Sequence, residues 1–270
     1  MRSLALTAEE RHQPYAAYFS RRPAAPDPRR LEAMSAPMDP AQALRAEDRG
    51  RLLDPGYHGV ECGWCILPDG TGYVANHTPM PGVTLEMVNW WFAWHALEDL
   101  RYKIWWPAGH FSASIPDPAQ RARAADARRP LVERFQGITH HVQEDVGGGP
   151  EDILISFMTP QDFGLDMARF DAARHTLVAA NGRSRPVGAF FLRPWASAVM
   201  CHFVRTTDDG VEFRSRFWLG RQLVDGQPRT RLPPFVKVPA AAARGLARHN
   251  VLEYANLASF LPALYREMNA

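Results

Sequence analysis

The sequence predicts an α+β domain in which a curved antiparallel sheet wraps one long C-terminal helix. From residue 56 onward, most segments show the alternation or the short apolar runs that are typical of strands. The dipeptide Asp209-Gly210 favours a two-residue hairpin turn between two of these strands. The chain then closes with a helical pattern over residues 239–258, which should end before Pro262. A sheet and a helix arranged in this way enclose a cavity.

The first 55 residues are predicted to form a helical and irregular N-terminal arm. Short helical runs alternate there with the proline-rich segment FSRRPAAPDPRR, residues 19–30. We expect this arm, residues 1–55, to pack on the main domain, residues 56–270, or on a second subunit. Because the arm carries apolar runs, the sequence favours a homodimer.

The elements of the main domain can be followed in order. A turn at residues 68–70 separates two strands, and Thr84 is placed to cap a helix over residues 85–100. The segment YKIWW is predicted to return to a strand, and the alanine- and arginine-rich residues 117–130 are predicted to form a loop. Further strands are expected in four segments, ERFQGITHHVQEDV, DILISFM, GAFFLR and AVMCHFVRTTDDGVEFRSRFWLG.

Composition narrows the class of protein. Hydrophobic residues make up 46% and charged residues 22% of the chain, as in ordinary globular proteins. No stretch approaches the roughly 18 apolar residues that span a bilayer, and the N-terminal apolar run is too short for a secretory signal. We therefore expect a cytoplasmic protein with no membrane partner. The net charge of +2 is spread along the chain, which argues against a nucleic-acid partner, and three cysteines argue against a disulfide framework.

The strongest local signal for chemistry is in the C-terminal helix. His249 and Glu253 are four residues apart, so their side chains share one helical face, where an imidazole and a carboxylate can bind a single ion. The same spacing also occurs in ordinary surface ion pairs. Here the helix is largely apolar, as expected of a helix held by a sheet, which favours a metal-binding pair. Its apolar residues include Leu246, Val251, Leu252, Leu257 and Phe260.

Two further side chains could complete a metal site. In the predicted strand ITHHVQEDV, Glu144 shares an otherwise apolar face with His140, where a carboxylate is costly unless it is paired or metal-bound. Asp145 falls on the opposite face. His140 cannot share an ion with Glu144, because about 13 Å separates the two along an extended strand. His110 lies in a loop at a strand end. Two imidazoles and two carboxylates suit Zn²⁺, and manganese or iron could use the same ligands.

Three motifs together resemble the 2,4-diacetylphloroglucinol hydrolase family, which includes phloretin-hydrolase-like enzymes. They are WWFAWH (90–95), RYKIWWPAGH (101–110) and HNVLEYANL (249–257), and the segment MPGVT fits as well. The resemblance runs from about Gly59 to the C-terminus. It implies a Bet v 1-like helix-grip catalytic domain with a smaller, mostly helical N-terminal region. It also implies a zinc ion bound by two histidines and two glutamates, which correspond to His110, Glu144, His249 and Glu253.

The resemblance further implies hydrolysis of the carbon–carbon bond between an acyl group and a phenolic or polyphenolic ring, giving a carboxylic acid and a phenol. Tyr102, in the RYK motif, would hydrogen-bond the acyl oxygen, and His202 would transfer the proton. A second family tyrosine is replaced by Phe217, and an asparagine expected just after His110 is absent, since FSAS follows. Trp106, one of eight tryptophans, is expected to help hold the flat ring together with Trp90, Trp91 and Trp94.

The predicted hairpin relates two of these residues. If Asp209-Gly210 is a two-residue turn, His202 lies opposite Phe217, and both share a face with Met200, Val204 and Phe213. The change from tyrosine to phenylalanine then removes one hydroxyl from the wall beside His202.

Two alternatives to the hydrolase remain at the level of the sequence. One is a non-enzymatic carrier of small hydrophobic ligands, which would not need four metal-type ligands. The other is a metal-dependent lyase or cyclase that acts on an aromatic polyketide.

Overall fold

A computed structural model describes residues 5–188 and 195–270. It confirms a mixed α/β fold with a large antiparallel sheet and a long C-terminal helix. The strands are β1 (Gly63–Ile66), β2 (Gly72–Pro81), β3 (His110–Ser114), β4 (Thr139–Asp145), β5 (Pro150–Met158), β6 (His175–Pro186), β7 (Ala196–Thr206), β8 (Gly210–Leu219), β9 (Arg221–Val224) and β10 (Gln227–Thr230). Eight of them form one sheet in the order β1-β2-β8-β7-β6-β5-β4-β3, and β9 pairs with β10.

The helices differ greatly in length, and the last one is the longest. The α-helices are α1 (Ala8–Arg11), α2 (Pro28–Ala33), α3 (Leu85–Trp94), α4 (Asp99–Lys103), α5 (Pro118–Ala125), α6 (Pro160–Phe163) and α7 (Ala240–Met268). Short 3₁₀ helices cover Ala16–Ser20, Pro40–Gln42, Ala46–Leu53, His95–Leu97 and Leu131–Arg134. Within the described part of the chain, no helix has both the length and the apolar character that a membrane span requires.

Both faces of the sheet are buried. On the inner face, Val204 of β7 belongs to the same buried cluster as Leu257 of α7 and Trp91 of α3. On the outer face, Phe203 clusters with Leu52 from the N-terminal region. Residues 38–53 therefore pack on the outer face of the sheet, the long helix covers the inner face, and Tyr15, Tyr18 and Met34 pack in the clusters that contain α7.

The predicted helix over residues 85–100 is broken in the structure. Its start is right, because the Thr84 side chain accepts a hydrogen bond from the Met87 N–H and caps α3. However, α3 ends at Trp94, and a new helix, α4, begins at Asp99. The prediction that YKIWW forms a strand is wrong, since Tyr102 is inside α4. Aromatic residues favour strands only where a pleated surface receives them, and here Tyr102 is buried among other helical aromatic residues.

Two further helical predictions need correction. Residues 117–130 were expected to form a loop but contain α5, which Asp117 caps by accepting from the Gln120 N–H at 2.8 Å, with proline at the first helical position. The last helix was expected to end before Pro262, but α7 continues through it to Met268. Pro262 removes one backbone donor, and burial of Leu261 and Leu264 outweighs that loss.

The strand predictions are correct in part. Of the predicted segment ERFQGITHHVQEDV, only the second half forms a strand, β4, since residues 133–137 end a 3₁₀ helix and form a turn. The segment DILISFM lies within β5. Strand β6, residues His175–Pro186, was not predicted, although it lies between β5 and β7 in the sheet. The strand expected in GAFFLR falls on residues 189–193, which lie outside the described residues, and Gly188 before them is in a turn.

The hairpin between β7 and β8 turns one residue earlier than predicted. Thr206 pairs with Val211, and the Thr207 N–H donates to the Gly210 carbonyl at 2.9 Å, so the tip is at Asp208 and Asp209 instead of Asp209 and Gly210. His202 therefore lies opposite Ser215, not opposite Phe217. Moving the turn by one residue changes each pairing partner by two residues, so every side chain keeps its predicted face.

Candidate metal centre

Four of the predicted site residues converge where one edge of the sheet meets α7. His110 is the first residue of β3 and pairs with Glu144 near the end of β4. The register shifts between His110 and Ser112, and such an irregularity re-aims side chains near a strand end. His249 and Glu253 face this edge from α7 and are buried, as is His110.

The distances among these side chains fit one small ion. Ligand atoms of His110, Glu144 and His249 all lie within 4.8 Å of one another. His110 Nε2 is 3.3 Å from His249 Nε2 and 3.5 Å from Glu144 Oε2. Glu253 Oε2 lies 3.5 Å from His110 Nε2 and 3.6 Å from His249 Nε2. Two ligands of a tetrahedral ion with bonds of about 2.0–2.2 Å are separated by about 3.3–3.6 Å, so the geometry of these residues could hold a metal.

Tyr102 supports two of these side chains. The His110 Nδ1–H donates to the Tyr102 carbonyl at 3.2 Å, which leaves the Nε2 lone pair for a metal. The two rings stack with centroids 4.0 Å apart. The Tyr102 hydroxyl donates to Glu144 Oε2. The side chain expected to contact substrate thus also orients a histidine and a carboxylate.

A second group of contacts, not anticipated from the sequence, orients Glu253. Asn250 Nδ2 donates to Glu253 Oε1 at 3.2 Å, and Asn76 Nδ2 donates to Asn250 Oδ1 at 2.9 Å. The Trp105 Nε1–H donates to the Glu253 carbonyl at 3.1 Å. The three-residue spacing from Asn250 to Glu253 places both on one helical face, so this signal was present in HNVLEYANL.

The protonation states also suit a cation. Burial lowers the pKa of His110 and of His249 to about 4, so both imidazoles are neutral at pH 7, as metal ligands must be. Burial raises the pKa of Glu253 to about 8. Within the described residues, Glu144 and Glu253 form ion pairs only with His110 and His249, and not with a lysine or an arginine. A divalent cation would supply the positive charge that keeps the buried Glu253 carboxylate ionised.

His202 and Phe217 are neighbours on the inner face, away from the four-residue cluster. His202 is buried, and its Nδ1 is 2.7 Å from the Ser215 hydroxyl. Burial lowers the pKa of His202 to about 3. The Phe217 ring lies 5.5 Å from the His202 ring, edge to face. Ser215 was missed because the hairpin turn was predicted one residue too late, which changes each pairing partner by two residues.

Trp105 rather than Trp106 packs beside the cluster. The Trp105 ring is 5.3 Å from the His110 ring and nearly perpendicular to it. Trp106 is half-buried, and its indole lies over Gly109. Trp90, Trp91 and Trp94, on α3, stack on one another within the main core.

Two glycines allow the elements of the site to approach closely. A Cβ at Gly245, one turn before His249, would lie 2.7 Å from the Val146 carbonyl oxygen. A Cβ at Gly109, next to His110, would lie 2.9 Å from the Asp145 carbonyl oxygen. Both carbonyls follow Glu144 in the chain. Glycine therefore lets β3 and α7 press against the end of β4, which brings the candidate ligands together.

Replacing Gly245 by alanine is expected to weaken metal binding. The methyl group must displace the Val146 carbonyl or α7, at a cost of about 1–3 kcal/mol in unfolding free energy, and the shift separates His249 from Glu144. Equilibrium denaturation and metal titration would measure both effects. Gly148→Ala is the matched control, because a Cβ there meets no described atom within 4 Å. Equal metal affinity in the two variants would contradict this role for Gly245.

Comparison with known proteins identifies the family of this chain. Residues 44–266 match the family described as DAPG hydrolase PhiG domain. The chain is 37% identical to a phloretin hydrolase of Eubacterium ramulus over 237 residues, which cover 86% of this chain and 81% of that protein. It is 30% identical to the 2,4-diacetylphloroglucinol hydrolases of Pseudomonas protegens and of a Pseudomonas sp., over 96% of this chain and 86% and 90% of those proteins. The chain therefore belongs to the DAPG hydrolase PhiG domain family and is a hydrolase.

Proposed function

We propose that this protein is a zinc-dependent hydrolase that cleaves the carbon–carbon bond between an acyl group and a polyphenolic ring. The buried cluster of His110, Glu144, His249 and Glu253 carries the proposal, because two imidazoles and two carboxylates at tetrahedral spacing suit Zn²⁺. The names of the relatives, phloretin hydrolase and 2,4-diacetylphloroglucinol hydrolase, support the substrate class. Family membership favours an enzyme over a carrier.

The reaction adds water across the aryl–acyl bond. The hydroxyl of water joins the acyl carbon to give a carboxylic acid, and the ring carbon leaves with the bonding electrons and takes a proton. A phenolic ring makes this possible, because its keto tautomer lets those electrons collect on oxygen. A zinc ion, when bound, would polarise the acyl carbonyl or lower the pKa of a water molecule.

His202 is proposed to move the proton. Burial lowers its pKa to about 3, so the imidazole is neutral at pH 7 and a weak base that would take up a proton only beside a developing negative charge. Its Nδ1 contacts the Ser215 hydroxyl, which can donate or accept a hydrogen bond. In the tautomer whose Nδ1–H donates to Ser215, Nε2 has the free lone pair and would take up the proton in one step and return it in the next.

Tyr102 and the aromatic side chains are proposed to orient the substrate. The Tyr102 hydroxyl, which donates to Glu144 in this structure, would turn its one O–H to the acyl oxygen and the developing oxyanion when substrate binds. Phe217 and Trp106 are proposed to contact the substrate through apolar surface alone. Since phenylalanine replaces the family tyrosine at position 217, we expect a weaker preference for a fully hydroxylated ring.

Metal analysis and chelation test the proposed function. The purified protein should contain zinc in stoichiometric amount and release a carboxylic acid and a phenol from phloretin or a diacetylated phloroglucinol. Exhaustive phenanthroline treatment should abolish turnover, and added zinc should restore it. Turnover that is unchanged in protein shown to be metal-free would refute the metal-dependent mechanism.

The finer architecture is also a proposal. We infer a Bet v 1-like helix-grip domain over residues 56–270, because α7 packs on β1, β2 and α3 at the inner face of one antiparallel sheet. Residues 1–55 would be the smaller N-terminal region. A crystal structure in which β1–β8 do not curve around α7 would argue against this fold type.

We further propose a cytoplasmic homodimer. All three cysteines are free thiols, as expected in a reducing compartment. Phe235 is fully exposed and Val236 is exposed beside it, which gives a second copy an apolar contact. Sedimentation at micromolar concentration should return the mass of a dimer, and a monomer mass would exclude it.

A further inference from the structure

Two buried polar side chains beside the metal centre have no hydrogen-bond partner among the described residues. They are Tyr254, through its hydroxyl, and His140, through both ring nitrogens. Tyr254 is 0% and His140 is 1% exposed. Buried polar groups are nearly always hydrogen-bonded, so an unpartnered pair near a reactive centre points to ligand atoms.

Tyr254 lies between the candidate metal centre and His202. Its ring is 4.8 Å from the His202 ring and 5.3 Å from the Trp105 ring. Trp105 in turn contacts His110 at 5.3 Å. Among the described residues, the rings of Phe92, Phe213, Phe217 and Tyr254 lie within 6.5 Å of the His202 ring, and of these four only Tyr254 has a hydroxyl.

His140 is linked to Tyr254 through a series of neighbouring aromatic rings. The His140 ring is 4.7 Å from Phe157, Phe157 is 6.3 Å from Phe92, and Phe92 is 6.5 Å from His202. Together Tyr254, His202, Phe92, Phe157 and His140 form an aromatic wall. Unpartnered buried atoms also occur elsewhere, for example in Arg216, but that side chain is on the outer face of the sheet.

The chemistry of this wall suits a hydroxylated aromatic ring. Phe92 and Phe157 offer apolar surface to a flat ring. The Tyr254 hydroxyl can donate and accept, and a neutral His140 offers one N–H and one lone pair. A hydroxyl on an aromatic ring satisfies either group.

We propose that Tyr254 and His140 form a subsite that recognises the ring hydroxyls of the phenolic substrate, separate from the metal centre that would take its acyl group. This subsite rests on the proposed function for its substrate class. It also accounts for how a chain with Phe217 can still select a hydroxylated ring.

Binding measurements on the zinc-loaded protein test the subsite without turnover. The probes are phloroglucinol, which has three ring hydroxyls, and its trimethyl ether, which cannot donate. In Tyr254→Phe and in His140→Leu, calorimetry should give a Kd for phloroglucinol about tenfold higher than in the wild type. The Kd for the ether should change little, because the ether has no O–H to donate to Tyr254 or His140.

The matched control is Tyr265→Phe, on the same helix, whose hydroxyl donates to Glu86 at 2.9 Å instead of facing the wall. It should leave both Kd values unchanged. Thermal melting of Tyr254→Phe should equal that of the wild type, since no described residue bonds the hydroxyl. A markedly lower melting temperature would assign the hydroxyl a structural role and overturn the proposal.

The subsite and the proposed function can fail separately. If the wild type hydrolyses acylphenols but both variants bind phloroglucinol as the wild type does, the subsite is wrong and the function stands. If the wild type does not hydrolyse acylphenols but both variants lose affinity for phloroglucinol and not for its trimethyl ether, the subsite stands and the hydrolase proposal fails. No measurable binding of phloroglucinol to the wild type would overturn the subsite.

Discussion

Replacing His249 by alanine is expected to remove the metal and abolish hydrolysis. His249 Nε2 is 3.3 Å from His110 Nε2 and 3.6 Å from Glu253 Oε2, so it faces the centre of the cluster. Mutating residues that only orient metal ligands lowers metal affinity by about 10–100-fold. Removing a ligand itself should therefore lower the affinity by more than about 100-fold. We expect turnover to fall by at least about a thousandfold, because the metal contributes several kcal/mol to transition-state stabilisation.

Elemental analysis of the purified variant and turnover of phloretin would measure both effects. The matched control is His141→Ala. His141 is on β4, the strand that carries Glu144, but its side chain is partly exposed and contacts Asp152 at 3.2 Å instead of the cluster. His141→Ala should keep its zinc and its activity. Full zinc occupancy in His249→Ala would remove His249 from the metal site.

Replacing His202 by asparagine is expected to lower turnover by about 10²–10⁴-fold with the metal retained. The amide can still contact the Ser215 hydroxyl, but it cannot carry a proton at neutral pH. The loss should appear in kcat more than in KM, and zinc content should equal that of the wild type.

Ser215→Ala separates proton transfer from orientation. It removes the partner of His202 Nδ1 but leaves the imidazole, so its loss of kcat should be much smaller than that of His202→Asn. Wild-type activity in a zinc-loaded His202→Asn variant would exclude His202 as the acid/base.

The parts of the site that follow from local periodicity could be predicted. His249 and Glu253 share a helical face because their spacing is close to one turn, and Glu144 alternates onto the inner face of its strand. The distances between these elements could not be predicted, since they depend on the pairing of β3 with β4 and on the close approach at Gly245. His110 was proposed from its place in a loop at a predicted strand end, and the resemblance supported its place beside the other three.

The errors arose where tertiary burial outweighs local preference. A run of aromatic residues around Tyr102 favours a strand, yet these side chains are buried as parts of helical turns. Pro262 normally ends a helix, yet α7 continues because the residues around it are buried. The turn was predicted at Asp209-Gly210 but lies at Asp208-Asp209, because long-range pairing places Gly210 in β8 opposite Pro81 of β2.

The position of the candidate ligands along the chain has a consequence for biosynthesis. His110 and His249 are 139 residues apart, and His249 belongs to α7. A nascent polypeptide therefore cannot bring the four candidate ligands together until α7 has left the ribosome. A bound ion would then cross-link two distant parts of the chain and so close a long loop. The entropy cost of closing such a loop grows only slowly with its length. On chelation, we expect the C-terminal helix to become the first target of proteases.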